Sequence, residues 1–256
     1  GQMNVILGDA SKNLDTVKRM TAEASRRGSD VVVFPELWAT GYDLENVEKH
    51  ATSIDQGIFA ESATLARQYG LHILGSNLSV VDEGRYGNTA VLFGPQGTTL
   101  GVYIKVHLFG PMDEDRYLTP GDAPEMVELP WGPTGLAICY DLRFPELMRA
   151  YGVAGASLIL LPSEWPYPRI AHWRTLIRAR AIENQVFVAA CNRTGLSGEN
   201  SFFGHSMIVN PAGETVIEGG EYEMLLTATI DLDQVNQVRS LFNVFDDRRP
   251  EVYQNL

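Results

Sequence analysis

The spacing of apolar residues changes period along the chain, and the changes mark the elements. Leu14, Val17, Met20, Ala22 and Ala24 form a stripe through Asn13–Arg27 with charges between them, which predicts an amphipathic helix ended near Gly28. Ser29–Phe34 follows with Val31-Val32-Val33, the unbroken apolar run of a fully buried strand, and stops at Pro35-Glu36. Gln2–Leu7 reads as a first strand already under way, so the native start is expected upstream of Gly1. A βαβ start of this kind predicts a right-handed crossover.

Gly41–Asp55 is polar and irregular, and Phe59–Tyr69 predicts a second helix stopped at Gly70. Extended segments follow at Leu71–Val80, Tyr86–Phe93 and Thr98–Lys105, the last two joined by a turn at Gly94-Pro95-Gln96-Gly97. A long loop, Val106–Asp122, leads to strands at Glu125–Leu129 and Thr134–Cys139. The pattern then repeats: helix-like Phe144–Tyr151, strand Ser157–Leu161, loop Pro162–Pro168, helix Ile170–Asn184 and strand Gln185–Cys191. Extended segments at Phe203–Val209, Glu214–Glu218 and Met224–Ile230 precede a helix at Asp233–Arg239 and a polar tail, Leu241–Leu256. Helix-bearing βα units thus bracket meander strands twice. Two mixed sheets packed face to face with helices outside fit this order, an α/β fold of four layers, α-β-β-α, over residues 1–256 as one domain; a doubly wound single sheet is the alternative.

Composition narrows the function classes. The 256 residues carry a net charge of −12, which argues against a nucleic-acid surface, since phosphate binding needs clustered Lys and Arg. No apolar run reaches the ~20 residues of a membrane span. No signal peptide is visible at Gly1, and two cysteines, Cys139 and Cys191, make no disulfide scaffold, so a cytoplasmic protein is expected.

The chemistry gathers where buried strands end. Gly135–Ile138 carries the chain to Cys139, and Tyr140-Asp141-Leu142-Arg143 turns it into the next helix, with Asp141 as a cap and Pro145 in the first turn. Open α/β sheets place ligands at such strand ends. The turn also presents backbone N–H groups to an oxyanion. A buried structural thiol is the competing reading of Cys139, and it is the one that suits Cys191. Glu36 ends another buried strand; as a loop cap it is ordinary, but aimed into the same crevice it would be raised toward neutrality and become a usable base. Lys105 ends Val102-Tyr103-Ile104. Glu114 lies nine residues on, between Asp113 and Asp115.

Taken together, these pieces resemble the nitrilase, or carbon–nitrogen hydrolase, superfamily. The matching segments are Phe34-Pro35-Glu36, Lys105-Val106-His107-Leu108-Phe109, Cys139–Glu146, His172-Trp173 with Arg178–Gln185, Gly204-His205-Ser206 and Asn210–Glu214. They run in the family's order over nearly the whole chain. The resemblance implies the α-β-β-α fold and a catalytic set with Cys139 as nucleophile, Glu36 as general base, Lys105 as catalytic lysine and Glu114 as second glutamate. Glu36 would be partly protonated beside a charged Lys105. No metal or cofactor is implied, and the His and Cys spacing offers no zinc pattern.

The form Cys-Tyr-Asp-Leu-Arg-Phe-Pro-Glu looks like the amidase branches, among them ω-amidases and deaminated-glutathione amidases, and the Glu164–Arg169 loop resembles bacterial ω-amidase-like members. Such substrates are small linear amides that carry a carboxylate, so the pocket needs donors. The Tyr140 N–H, Arg169, and the walls Trp165 and Tyr42 are the candidate binding residues, while Arg143 is expected to pair with an acid and hold the turn. The competing enzyme readings are an N-carbamoyl amino acid hydrolase and a true nitrilase; outside enzymes, an inactive binding module on the same fold. The family's habit of pairing implies at least a homodimer, with the tail reaching the partner.

Overall fold

The computed structural model describes residues 1–253; the last three residues of the predicted tail, 254–256, lie outside it. The strands are β1 Val31–Val33, β2 His72–Asp82, β3 Arg85–Phe93, β4 Thr99–Ile104, β5 Glu125–Leu129, β6 Gly132–Leu136, β7 Leu158–Ser163, β8 Phe187–Asn192, β9 Thr194–Ser197, β10 Asn200–Phe203, β11 Met207–Val209 and β12 Thr215–Glu218. The main helices are α1 Ala10–Arg26, α2 Gly57–Tyr69, α3 Pro145–Val153, α4 Ile170–Asn184 and α5 Asp233–Leu241.

One sheet has the order β1-β2-β3-β4, parallel between β1 and β2 and antiparallel beyond. The other has the order β12-β11-β8-β7-β6-β5, with β6, β7 and β8 parallel. Alternation along β2 and β3 decides the layers. Leu74, Ala90 and Leu92 face inward and pack in the same core as Leu136, Leu158 and Val188 of the second sheet. Their neighbours Ile73, Val91 and Phe93 face outward onto Val17 and Met20 of α1 and Phe59 and Leu65 of α2. On the far side, Met148 and Tyr151 of α3 and Trp173 and Ile177 of α4 cover the second sheet. The layers are α-β-β-α, as the element order predicts.

Several differences from the predicted elements fall at strand ends. Gln2–Leu7 and Met224–Ile230 are not strands; they make single bridges, Gln2 to Met224 and Asn4 to Thr194. Pairing in β6 stops at Leu136, because Cys139 turns into a left-handed conformation (φ 46°) and opens a 3₁₀ turn, Cys139–Arg143. The segment predicted as one strand, Phe203–Val209, is divided at Gly204-His205-Ser206 between β10 and β11. The Val106–Asp122 loop contains a short helical turn, Glu114–Tyr117. In the tail, Phe245 packs on its own chain: Arg149 and Arg239 lie over its ring, and its edge meets Gly152 of α3. Leu241, Phe242, Val252 and Tyr253 remain exposed.

Candidate active site

The parallel strands deliver polar side chains just beyond their carboxyl ends. β1 leads to Glu36, β6 to Cys139 and β7 to Glu164, and the antiparallel β4 adds Lys105. Each is held by its own local geometry. The turn after β1 is pinned to β2: Leu37 N–H donates to Ser76 Oγ (3.0 Å), and Ala39 N–H to Asn77 Oδ1 (3.0 Å). Lys105 is fixed at its backbone by Asn88 O and Gly121 N–H. Gly121 is required there, since a Cβ would lie 2.2 Å from Ile104 O.

The four residues of the implied catalytic set meet in one buried cluster. Lys105 Nζ donates to Glu36 Oε1 (2.7 Å) and to Glu114 Oε2 (2.6 Å). All three side chains are shut off from solvent. Asn88 Nδ2 donates to Glu36 Oε1 (2.8 Å) and Glu114 Oε1 (3.0 Å), and Tyr42 OH to the same two oxygens (3.0 and 3.2 Å). The Phe109 N–H closes on Glu114 Oε2 (2.6 Å). Glu114 is the buried member of its acidic run, while Asp113 and Asp115 are exposed. Burial alone would lower the Lys105 ammonium, but Glu114 and Glu36 outweigh it and hold its pKa above the ordinary lysine value. Burial raises Glu114, against the pull of Lys105.

Cys139 lies against this cluster, close enough for both Glu36 and Lys105 to act on its thiol. Burial pushes the thiol well above its ordinary value, Glu36 adds to the shift, and Lys105 opposes it. The resting group is therefore a thiol that needs a base to become a nucleophile. Its strained turn is over-determined by Asp141, whose carboxylate accepts from Ile138 N–H (2.8 Å), Tyr103 OH (2.7 Å), His107 N–H (3.1 Å) and His107 Nδ1 (2.8 Å). The Tyr140 N–H belongs to the first turn, where N–H groups have no acceptor within the helix.

A narrow cleft reaches Cys139 between Tyr140, Phe109, Trp165, Arg143 and Arg169. Arg143 pairs with no acid among the described residues. Its guanidinium lies 4.9 Å from the centre of the Trp165 ring and 3.4 Å from His172 Nδ1, because the turn it was expected to brace is already held by Asp141. Arg169 lies over the Phe109 ring at 5.6 Å. Trp165 is buried, and its indole N–H has no partner among the described residues. Tyr42 is not a wall of this cleft, since its hydroxyl is engaged by the two glutamates.

Three polar residues of the site go beyond those singled out from the sequence. Asn88 carried a signal: it shares the parity of Ala90 and Leu92 on β3, so a wholly buried amide at an inward position asks for a partner. Glu164 carried the same signal as Glu36, a carboxylate just past a buried strand. Its N–H donates to Glu36 Oε2 (2.9 Å), and its carboxylate is paired with Arg193 (3.3 Å). Arg193 itself gave no signal, because its anchors, Val5 O (2.5 Å) and the face of Phe202 (4.3 Å), come from distant parts of the chain.

Comparison with known proteins places the chain in a family. The carbon–nitrogen hydrolase family profile matches residues 1–240. The 2-oxoglutaramate amidase of Bacillus subtilis (strain 168) is 39% identical over 252 residues, spanning 98% of this chain and 97% of that protein. A carbon–nitrogen hydrolase superfamily protein from Xanthomonas campestris, solved with an arsenic adduct in its active site, superposes with a TM-score of 0.90 at 30% identity, over 97% of this chain and 95% of that one. A mutant amidase from Nesterenkonia sp. AN1, solved after Michael addition of acrylamide at its active-site cysteine, gives a TM-score of 0.87 at 30% identity, over 99% and 96% of the two chains. By sequence and by fold, this chain belongs to the carbon–nitrogen hydrolase family and is an amide-hydrolysing enzyme of the thiol-dependent kind.

Proposed function

We propose that this enzyme hydrolyses the terminal amide of a small linear acid, an ω-amide, to the dicarboxylic acid and ammonia, through a thioester on Cys139. The observation that carries the reading is the placement of Lys105 Nζ between two buried glutamates, one of which, Glu36, acts on the Cys139 thiol beside it. Glu36 takes the thiol proton as sulfur attacks the amide carbon. Lys105 and the Tyr140 N–H hold the oxyanion that forms. Glu36 returns the proton to the departing nitrogen, ammonia leaves, and the acyl group stays on sulfur. Glu36 then takes a proton from water as the water oxygen attacks the thioester; the acid is released and the thiol is restored. Glu114 keeps Lys105 charged and in place.

The B. subtilis relative's name and the chemistry of the cleft support a carboxylate-bearing substrate. Arg169 is a donor at its wall and has no acidic partner among the described residues. Ammonia release from 2-oxoglutaramate, succinamate, an N-carbamoyl amino acid, a neutral aliphatic amide and a nitrile tests the reading. Turnover should be confined to the first two; activity on the carbamoyl compound alone, with CO2 released, would move the substrate and keep the mechanism. Arg169→Ala should raise KM for the carboxylate-bearing amides and spare a neutral one, and equal losses on both would remove Arg169 from the pocket.

Two further readings accompany this one. The exposed apolar residues at the end of the chain, Leu241, Phe242, Val252 and Tyr253, support at least a homodimer, which sedimentation would test. Two buried free thiols suit a reducing, cytoplasmic setting.

A further inference from the structure

The buried cluster holds more carboxyl groups than cations. Glu36, Glu114 and Glu164 are at most 1% exposed, and they face two buried cations, Lys105 and Arg193. The other titratable groups against them, Cys139 and Tyr42, are raised by burial and stay neutral. Three carboxylates against two fixed cations would leave one uncompensated charge in a region screened from solvent, which is costly. A single proton on one of the three removes it.

The hydrogen bonds say which one. Donors directed at a carboxylate favour its ionised form. Glu36 accepts from Lys105, Asn88, Tyr42 and the Glu164 N–H. Glu114 accepts from Lys105, Asn88 and the Phe109 N–H, and the single Tyr42 proton is shared between it and Glu36. Among the described residues the Glu164 carboxyl accepts from Arg193 alone, at 3.3 and 3.4 Å, while Arg193 spends its other donors on Val5 O and Thr194 O.

We propose that Glu164 carries the proton of this cluster and, as a positioning residue, leaves Glu36 ionised and held by the Glu164 N–H. The shared proton expected on Glu36 thus moves to its neighbour. Burial pushes Glu164 up to about 8, with Arg193 and Lys105 opposing and Glu36 adding; burial raises Glu114 too, so the donor count and not the shift makes the choice. The functional part rests on the reading of Glu36 as the base, but the proton's location does not.

Difference infrared spectroscopy of the resting enzyme reads the C=O stretch of a protonated carboxyl without any substrate. On raising the pH from about 6 to about 10, wild type should lose one such band. Glu164→Asp, which keeps the count of carboxyl groups, should displace that band, and Glu114→Asp should leave it in place. A band unmoved in Glu164→Asp, one displaced in Glu114→Asp, or none in wild type would overturn the proposal. Glutamine has the shape of the protonated acid, so Glu164→Gln should fold, and its failure to fold at neutral pH would equally contradict the assignment. Because no turnover is read, the band locates the proton even in an enzyme inactive on ω-amides, and the ammonia assay would fail separately.

Discussion

Cys139 and Cys191 are alike in most of what a chain can write down. Each ends an apolar run, each is almost fully buried, and burial raises each thiol. They differ in what surrounds them. Cys191 stays within β8, touching Ser206 and the chain's amino end. Cys139 has left its strand at φ 46°, is braced by Asp141, and faces Glu36 and Lys105. A nucleophile here is a matter of backbone conformation and charged neighbours, because the thiol's own burial would only silence it.

The comparison breaks most visibly by deletion. Cys139→Ala should cost at least about 1000-fold in kcat, while Cys191→Ala should change it by no more than about twofold, both read as ammonia release. Comparable losses in the two variants would erase the distinction. Lys105→Gln comes next. It removes an oxyanion donor and leaves two buried carboxylates without their cation, so kcat should fall by about 100–1000-fold with the cysteine still present. Asp141→Asn probes the turn itself. It places an amide N–H where the carboxylate accepts backbone and side-chain donors, and should destabilise the fold by about 1–3 kcal/mol in denaturant melts with a loss of kcat. The corresponding cost of Cys191→Ala, a small cavity, is about 1 kcal/mol with no change in kcat.

These sites are unequally legible in the sequence. Glu36 and Cys139 both follow buried strands, and the succession of an apolar run and a polar turn finds both. Glu114 cannot be separated from Asp113 and Asp115 by pattern, because its burial depends on Asn88, Tyr42 and the Phe109 N–H closing around it. The ion pair expected of Arg143 fails for a related reason: Asp141, two residues away, already brings Tyr103 and His107 to the turn, so no ion pair is needed there. Among the layers, the helices and the β2–β3 alternation are plain from periodicity. Gln2–Leu7 and Met224–Ile230 have strand-like composition but make only isolated bridges, and composition does not report pairing.

The last expected effect concerns pH. An unfolded glutamate ionises near about 4.3, and Glu164 in the fold near about 8. Between these values the folded chain holds a proton that the unfolded chain has released, so stability falls as pH rises through the window. Glu164→Gln should flatten that slope in thermal melts, and an unchanged slope would assign it to other groups.

The most direct test of the central claim is to stop the enzyme during turnover of 2-oxoglutaramate with acid and map the attached mass by peptide mass spectrometry. The account predicts an acyl group on the peptide containing Cys139 and none on the peptide containing Cys191. Acylation of Cys191, or turnover with no acyl group on either thiol, would contradict it.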